Sequence, residues 1–335
     1  MTLPLALTMG EPAGIGGELG LRAWLALRGG GPVFVALDDP ARLAGLAEAL
    51  GLDVPVETVA SAADAARVFA RALPVLPVAL ARPARAGHPD AANAASTIAS
   101  IDRAVALALG GEVGGIVTNP IQKSNLYDAG FAYPGHTEYL AAKAGGVAVA
   151  MLLACPQLRV VPVTIHLALR AAIAALTTDA IVATATLVAK GLQSDFGIAR
   201  PRLALAGLNP HAGEAGSMGA EDSDIVAPAV ATLRARGFDA VGPLPPDTMF
   251  GPRAREGYDV AICMYHDQAL IPLKTLDVDG GVNVTLGLPF VRTSPDHGTA
   301  LDIAGKGVAH PGSLVAALRL ANDLATRRAT GARNR

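Results

Sequence analysis

The sequence predicts an α/β protein built from parallel strands and crossover helices, and three observations carry that prediction. Short apolar runs alternate with longer amphipathic stretches from end to end. The apolar runs are rich in Val, Leu and Ile and four to eight residues long, as strands buried on both faces are. The longer stretches repeat apolar residues at three- and four-residue spacing, the mark of a helix with one buried stripe.

In chain order the strands are expected at Leu3–Thr8, Val33–Leu37, Gly115–Thr118, Val147–Leu153, Leu158–Ile165, Arg202–Leu208, Val260–Tyr265 and Val282–Leu286. Helices are expected at Ala92–Leu109, Tyr139–Ala144, Asp179–Leu192, Ser223–Arg236 and Ser313–Arg327. Thr178 and Asp179 offer capping oxygens at one helix start, and His136 or Thr137 at another. The Pro/Gly-rich segment Gly242–Pro252 reads as an irregular functional loop, with Lys123–Gly135 next, and the Arg-rich tail Arg327–Arg335 as a frayed end.

A chain of 335 residues is long enough for about two domains. With 51% hydrophobic and 17% charged residues it can bury a core, which excludes disorder and collagen-like repeats. The formal net charge of −2 supplies no basic field for nucleic acid or an anionic membrane. Cys155 and Cys263 each sit in an apolar run without a CxxC neighbour and read as buried thiols. The first residues show no basic leader, and the most apolar run, Val147–Cys155, is far short of the ~20 residues of a membrane helix, so a soluble, cytoplasmic protein is expected.

The chemistry is foreshadowed by the histidines. His166, His211 and His266 each sit just beyond an expected strand, and the carboxyl ends of parallel strands share one sheet edge, where open α/β folds bind ligands. Three imidazoles meeting there suit a divalent metal and leave positions open for water or substrate. Read one at a time, each is equally at home as an ordinary strand-end histidine. Asn209, Asp267 and Gln268 stand beside them as partners that could orient the rings, and Asp247 and Asp267 are the nearest carboxylates for proton transfer or orientation. A second group suits anions: Lys274 and Arg292 flank the apolar segment GGVNVTLGLPF, which contains Asn283 and should place its polar members at a cleft. The loop Thr8–Gly17 offers backbone amides to an anion or is a plain tight turn, and His136 and Thr137 either cap a helix or touch ligand.

The segments MGEPAGIGGE, VTNPIQKSNL, YPGHTEYLA, GLNPHAGEAG, GPLPPDTMF, YHDQALIPLK and GVNVTLGLPFVRTSPDHGTALDIAGKG, in this order, resemble those of the 4-hydroxythreonine-4-phosphate dehydrogenase family of pyridoxal phosphate biosynthesis. The resemblance runs from the first strand to the last helix. It implies a two-domain fold like those of isocitrate and isopropylmalate dehydrogenases, with the active site in a cleft between domains and no Rossmann fold. The domains are expected at 1–125 with about 280–335, and at 126–279. It further implies His166, His211 and His266 as metal ligands in a homodimer that shares the metal site. His136, Thr137, Lys274, Asn283 and Arg292 are implied as substrate contacts. Together with the three histidines, Lys274 and the two carboxylates Asp247 and Asp267, each of which could equally be a turn residue, are the expected catalytic groups. The implied cofactors are a divalent metal, zinc first with cobalt, magnesium or manganese as alternatives, and NAD or NADP, whose binding residues the sequence does not identify. The implied reaction oxidises the C3 hydroxyl of 4-phosphooxy-L-threonine and decarboxylates the product; relatives that oxidise threonate or erythronate 4-phosphate or a terephthalate-type cis-dihydrodiol dicarboxylate carry similar motifs. Three positions depart from the family's usual pattern: Glu11 for Asp, Gly17 for Pro and Ala269 for Gly.

Overall fold

The computed structural model describes residues 2–333. Its strands are β1 Leu5–Thr8, β2 Phe34–Asp38, β3 Val56–Thr58, β4 Leu73–Pro77, β5 Gly115–Val117, β6 Ala150–Cys155, β7 Leu158–Pro162, β8 Arg202–Ala206, β9 Asp239–Leu244, β10 Val260–Cys263, β11 Val282–Leu286 and β12 Val291–Pro295. The chain divides into two compact units, Met1–Val147 with Leu288–Ala329, and Ala148–Gly287 with the chain end from Thr330.

In the first unit the strand order is β3-β4-β2-β1-β5-β12, every neighbouring pair parallel. The helix Ala94–Leu109 packs on β1, β2 and β5 and is tied down by polar bonds: the Ser100 hydroxyl donates to Leu37 O and accepts from Met9 N, and the Thr97 hydroxyl donates to Gly10 O. Trp24 is fully buried and donates its indole N–H to Phe69 O at 2.8 Å, with Phe69 edge-on to Phe34.

In the second unit the order is β11-β6-β7-β10-β8-β9. β11, β6 and β7 pair antiparallel, while β7, β10, β8 and β9 are parallel. The expectation of an all-parallel sheet therefore holds for the first unit and not for the second: only the two residues Pro156 and Gln157 separate β6 from β7, too few for a crossover and enough for a hairpin. The core here is aliphatic, with Leu153, Val160, Ala204, Ala261, Ala269 and Leu273 closed around both cysteines, which are buried free thiols.

The four strands absent from the sequence reading have physical reasons. β4 reads LPVLP, and β9 contains Gly242-Pro243; prolines demote both as strands. β3 has three residues, and β12 reads VRTSP, polar in composition yet fully buried. Segment 242–252 is not one loop but the end of β9 followed by single helical turns at Pro246–Met249 and Pro252–Arg255. The C-terminal helix runs Gly312–Arg333, so the tail is helical over its described residues, and residues 334 and 335 lie outside them. Residues 126–147 cluster with the first unit, because Tyr139 and Lys143 bond to Asp102 on the helix Ala94–Leu109 at 2.5 and 2.9 Å. Among the described residues no single helix is long and apolar enough to cross a membrane.

Candidate active site

His166, His211 and His266 all belong to the second unit and follow β7, β8 and β10, three parallel strands adjacent in the order β7-β10-β8. Their approach is therefore from one sheet edge. The rings of His166 and His266 lie 5.7 Å apart between centroids. His266 Nδ1 is 2.7 Å from Asp267 Oδ1, which leaves Nε2 to face outward from that pair.

Two of the three histidines sit in strained backbone. His166 has φ 53°, and His211 opens a left-handed turn continued by Ala212, Gly213, Glu214 and Ala215 at φ 54°, 78°, 39° and 55°. For residues with a Cβ the left-handed region costs about 1–2 kcal/mol each, so the surrounding structure must hold this turn in place. Asp222 does so. Buried at 1% exposure in a π-helical turn, it accepts from Leu208 N at 2.7 Å and Asn209 N at 2.9 Å. Gln268 ties the same loop to the helix His266–Leu276: its amide donates to Gly207 O and its oxygen accepts from Met264 N, both at 2.7 Å. Gly207 leaves room for this, since a Cβ there would stand 2.8 Å from Ala212 and 3.0 Å from Asp222 Oδ1. Asp222 went unrecognised in the sequence, because a carboxylate that caps a loop thirteen residues away carries no spacing signal.

Asp247 lies exposed in the short helix Pro246–Met249, and Lys274 is exposed on the last turn of the helix His266–Leu276. Asn283 stands on β11 opposite Leu153, with its Oδ1 buried and without a hydrogen-bond partner.

The first unit carries His136, Thr137 and Arg292. The helix His136–Lys143 begins at Gly135 with no side-chain cap, so neither His136 nor Thr137 is spent on capping. Arg292 stands on β12 opposite Ile116, 3% exposed, and donates from Nη2 to the Thr118 hydroxyl at 2.7 Å. Burial pulls its guanidinium down to about 10, which leaves it charged at neutral pH. His136 is half-buried as a residue, and its Nε2 is sealed from solvent and has no partner. Burial, and then the charges of Arg292 and Lys123, pull His136 down to about 3, so the imidazole is neutral.

This has a consequence for stability. The unfolded chain protonates His136 near 6.5 and the folded chain only near 3, so between these values the unfolded state binds the extra proton and stability rises with pH. His136→Gln is expected to remove up to one proton's worth of slope, about 1.4 kcal/mol per pH unit. Urea midpoints of the ligand-free protein and the variant between about pH 4 and 6 check this; parallel slopes would contradict it.

Of the two readings of the loop Thr8–Gly17, the structure shows the tight turn. Glu11 N donates to Pro120 O, Ala13 N to Glu11 Oε1, Gly14 N to Glu11 O and Ile15 N to Thr299 O, so these amides are taken. Glu11, 6% exposed, puts its own carboxylate where an anion would sit. Gly17 is explained by Arg42: a Cβ would lie 2.9 Å from Arg42 Nη2 and from Leu46 Cδ2, and Arg42 is pinned by Asp38 at 2.7 Å and by Pro12 O at 2.8 Å. Ala269 is fully buried in the second unit's core, where its methyl fills space.

The donor chemistry at the His166/His266 edge fits a divalent ion, since neutral imidazoles suit zinc and cobalt. Among the described residues of one chain, no three His, Cys, Asp or Glu side chains are gathered closely enough to hold such an ion.

Comparison with known proteins adds a second, independent line. A family model described as pyridoxal phosphate biosynthetic protein PdxA matches residues 32–321. A 4-hydroxythreonine-4-phosphate dehydrogenase of Methylorubrum populi is 57% identical over 333 residues, spanning 97% of this chain and 95% of its own. The crystal structure of the enzyme of that name from Klebsiella pneumoniae superimposes with a TM-score of 0.87 at 39% identity, over 97% of this chain and all of the other. A terephthalate 1,2-cis-dihydrodiol dehydrogenase from Burkholderia xenovorans is more distant, at TM-score 0.65 and 29% identity over 96% of this chain and 98% of its own.

Proposed function

Since the chain belongs to the PdxA family of pyridoxal phosphate biosynthetic proteins and is a dehydrogenase of that family, we propose that it oxidises 4-phosphooxy-L-threonine at C3 with NAD or NADP. The product then decarboxylates to 3-amino-2-oxopropyl phosphate. The observation that carries this reading is the 57% identity, across nearly the whole chain, to a protein bearing that enzyme's name.

In the first step oxidation at C3 removes a hydride and the hydroxyl proton, and NAD or NADP, when bound, would be the hydride acceptor. In the second the C1–C2 bond breaks, carbon dioxide leaves, and the electron pair passes through the enolate to be protonated at C2. When bound, a divalent ion held by His166, His211 and His266 supplies Lewis acidity to the reacting oxygen, worth several kcal/mol. Asp267 holds the His266 ring by its Nδ1 and so sets which nitrogen is offered. Asp222 and Gln268 keep the His211 turn in its left-handed form. Arg292, His136 and Thr137 bind the substrate's anionic and polar groups, with Lys274 and Asn283 completing the contacts and Asp247 or Lys274 carrying the proton. A second copy of the chain completes the metal site.

The test is a panel of turnover assays with both nicotinamide cofactors and four substrates at equal concentration: 4-phosphooxy-L-threonine, threonate 4-phosphate, erythronate 4-phosphate and a terephthalate-type cis-dihydrodiol dicarboxylate. The largest kcat/KM is expected on 4-phosphooxy-L-threonine. A preference for another substrate by tenfold or more would overturn the assignment and leave the dehydrogenase class standing.

A further inference from the structure

The substrate contacts that the family resemblance supplies in the first unit are His136, Thr137 and Arg292, and Lys123 is not among them. Lys123 opens the helix Lys123–Asp128 and is exposed. A Cβ on Gly135, the residue that starts the helix His136–Lys143, would lie 3.7 Å from both Cε and Nζ of Lys123 and 3.4 Å from Glu138 Oε2. The ammonium therefore stands at the uncapped amino end of that helix, beside the positive pole of its dipole. It is also close enough to His136 to act with Arg292 in keeping that ring neutral.

Lys123 and Glu138 thus meet around Gly135, and Glu138 is also the charge that favours the protonated form of Arg292, so two basic side chains share one carboxylate. Buried within this group is His136 Nε2, a polar atom without a partner. An excess of positive charge beside an unsatisfied buried nitrogen and free helix amides is matched by a dianion, and a phosphate monoester is the dianion that 4-phosphooxy-L-threonine carries.

We infer that Lys123 is a further binding residue for the substrate's phosphate, acting together with Arg292; this rests on the reading that the substrate is a phosphate ester. Lys123 supplies charge through a flexible stem, whereas buried Arg292 supplies direction. Because Lys123 is exposed, its replacement is expected to leave the fold intact.

Lys123→Met and Lys123→Arg are compared with the parent in two measurements, steady-state kinetics on 4-phosphooxy-L-threonine and calorimetric binding of inorganic phosphate to the ligand-free enzyme. Lys123→Met is expected to raise KM and the phosphate Kd together by roughly tenfold or more, with kcat within about twofold, and Lys123→Arg to recover most of the loss. A change below about twofold in both quantities would overturn the inference. The two claims separate cleanly: if the parent fails to oxidise 4-phosphooxy-L-threonine, the functional reading falls, and phosphate binding to the parent and Lys123→Met still decides whether Lys123 holds the anion.

Discussion

His211→Gly is expected to lower turnover of 4-phosphooxy-L-threonine on the order of 10³-fold while leaving the protein as stable as the parent or more so. The two effects run in opposite directions for one reason. His211 lies at φ 53°, where a side chain costs about 1–2 kcal/mol and glycine costs nothing sterically. Glycine gives back about 0.5–1 kcal/mol through the greater freedom of the unfolded chain, so the net change in unfolding free energy lies between about 0 and +1.5 kcal/mol. The ring is exposed and contributes nothing to the core. A residue that strains its own backbone and buries no surface is retained for what its imidazole does. Thermal melts, kinetics, and zinc retained after dialysis measure the three quantities. A variant that keeps both metal and turnover would remove His211 from the site; one that loses several kcal/mol of stability would make it structural.

The same histidine shows how far the sequence could be read. That His166, His211 and His266 follow strands was legible, because apolar runs ending in a polar residue mark strand ends, and the three strands prove to be adjacent and parallel. Their left-handed backbone was not legible, since nothing in NPHAGEA requires positive φ at alanine or glutamate; the turn is imposed from outside by Asp222 and Gln268. Arg292 was legible as a charge inside an apolar segment, but its strand was not: VRTSP looks like loop and is buried because Arg292 and Thr293 find partners in Thr118 and Ala317 O. The caps were misplaced for a similar reason. Thr177, not Thr178 or Asp179, accepts from Ala180 N, and Gly135 precedes the helix that His136 or Thr137 was expected to cap, since one residue of phase decides which side chain reaches back. Lys123 was legible only as the first residue of the expected loop Lys123–Gly135 and as a member of VTNPIQKSNL; that segment instead opens with the helix Lys123–Asp128, and the relation of Lys123 to His136 exists only once the two short helices are folded.

Arg292→Met is expected to lower kcat/KM for 4-phosphooxy-L-threonine by roughly 10²–10³-fold, mostly through KM, with little loss of stability. Truncating a buried cation that pairs with a ligand anion costs about 2–5 kcal/mol of binding. The folded ligand-free protein gains in part from the change, because burial already disfavours this charge enough to draw it down to about 10, and an unbranched thioether of similar length refills the space. Among what the fold loses is the charged bond to the Thr118 hydroxyl, about 1.5–3 kcal/mol, which removal of the buried charge offsets in part. The substitution also reports on His136, which Arg292 helps to hold near 3: with that charge gone, the imidazole titrates closer to 6.5, and its ring resonances move upward in a pH titration. The decisive comparison is with an analogue that lacks the phosphate. If Arg292 reads phosphate, the analogue's kcat/KM changes little between parent and variant; an equal loss on both substrates would mean that Arg292 contacts the carboxylate instead, and that the orientation proposed for the substrate is reversed.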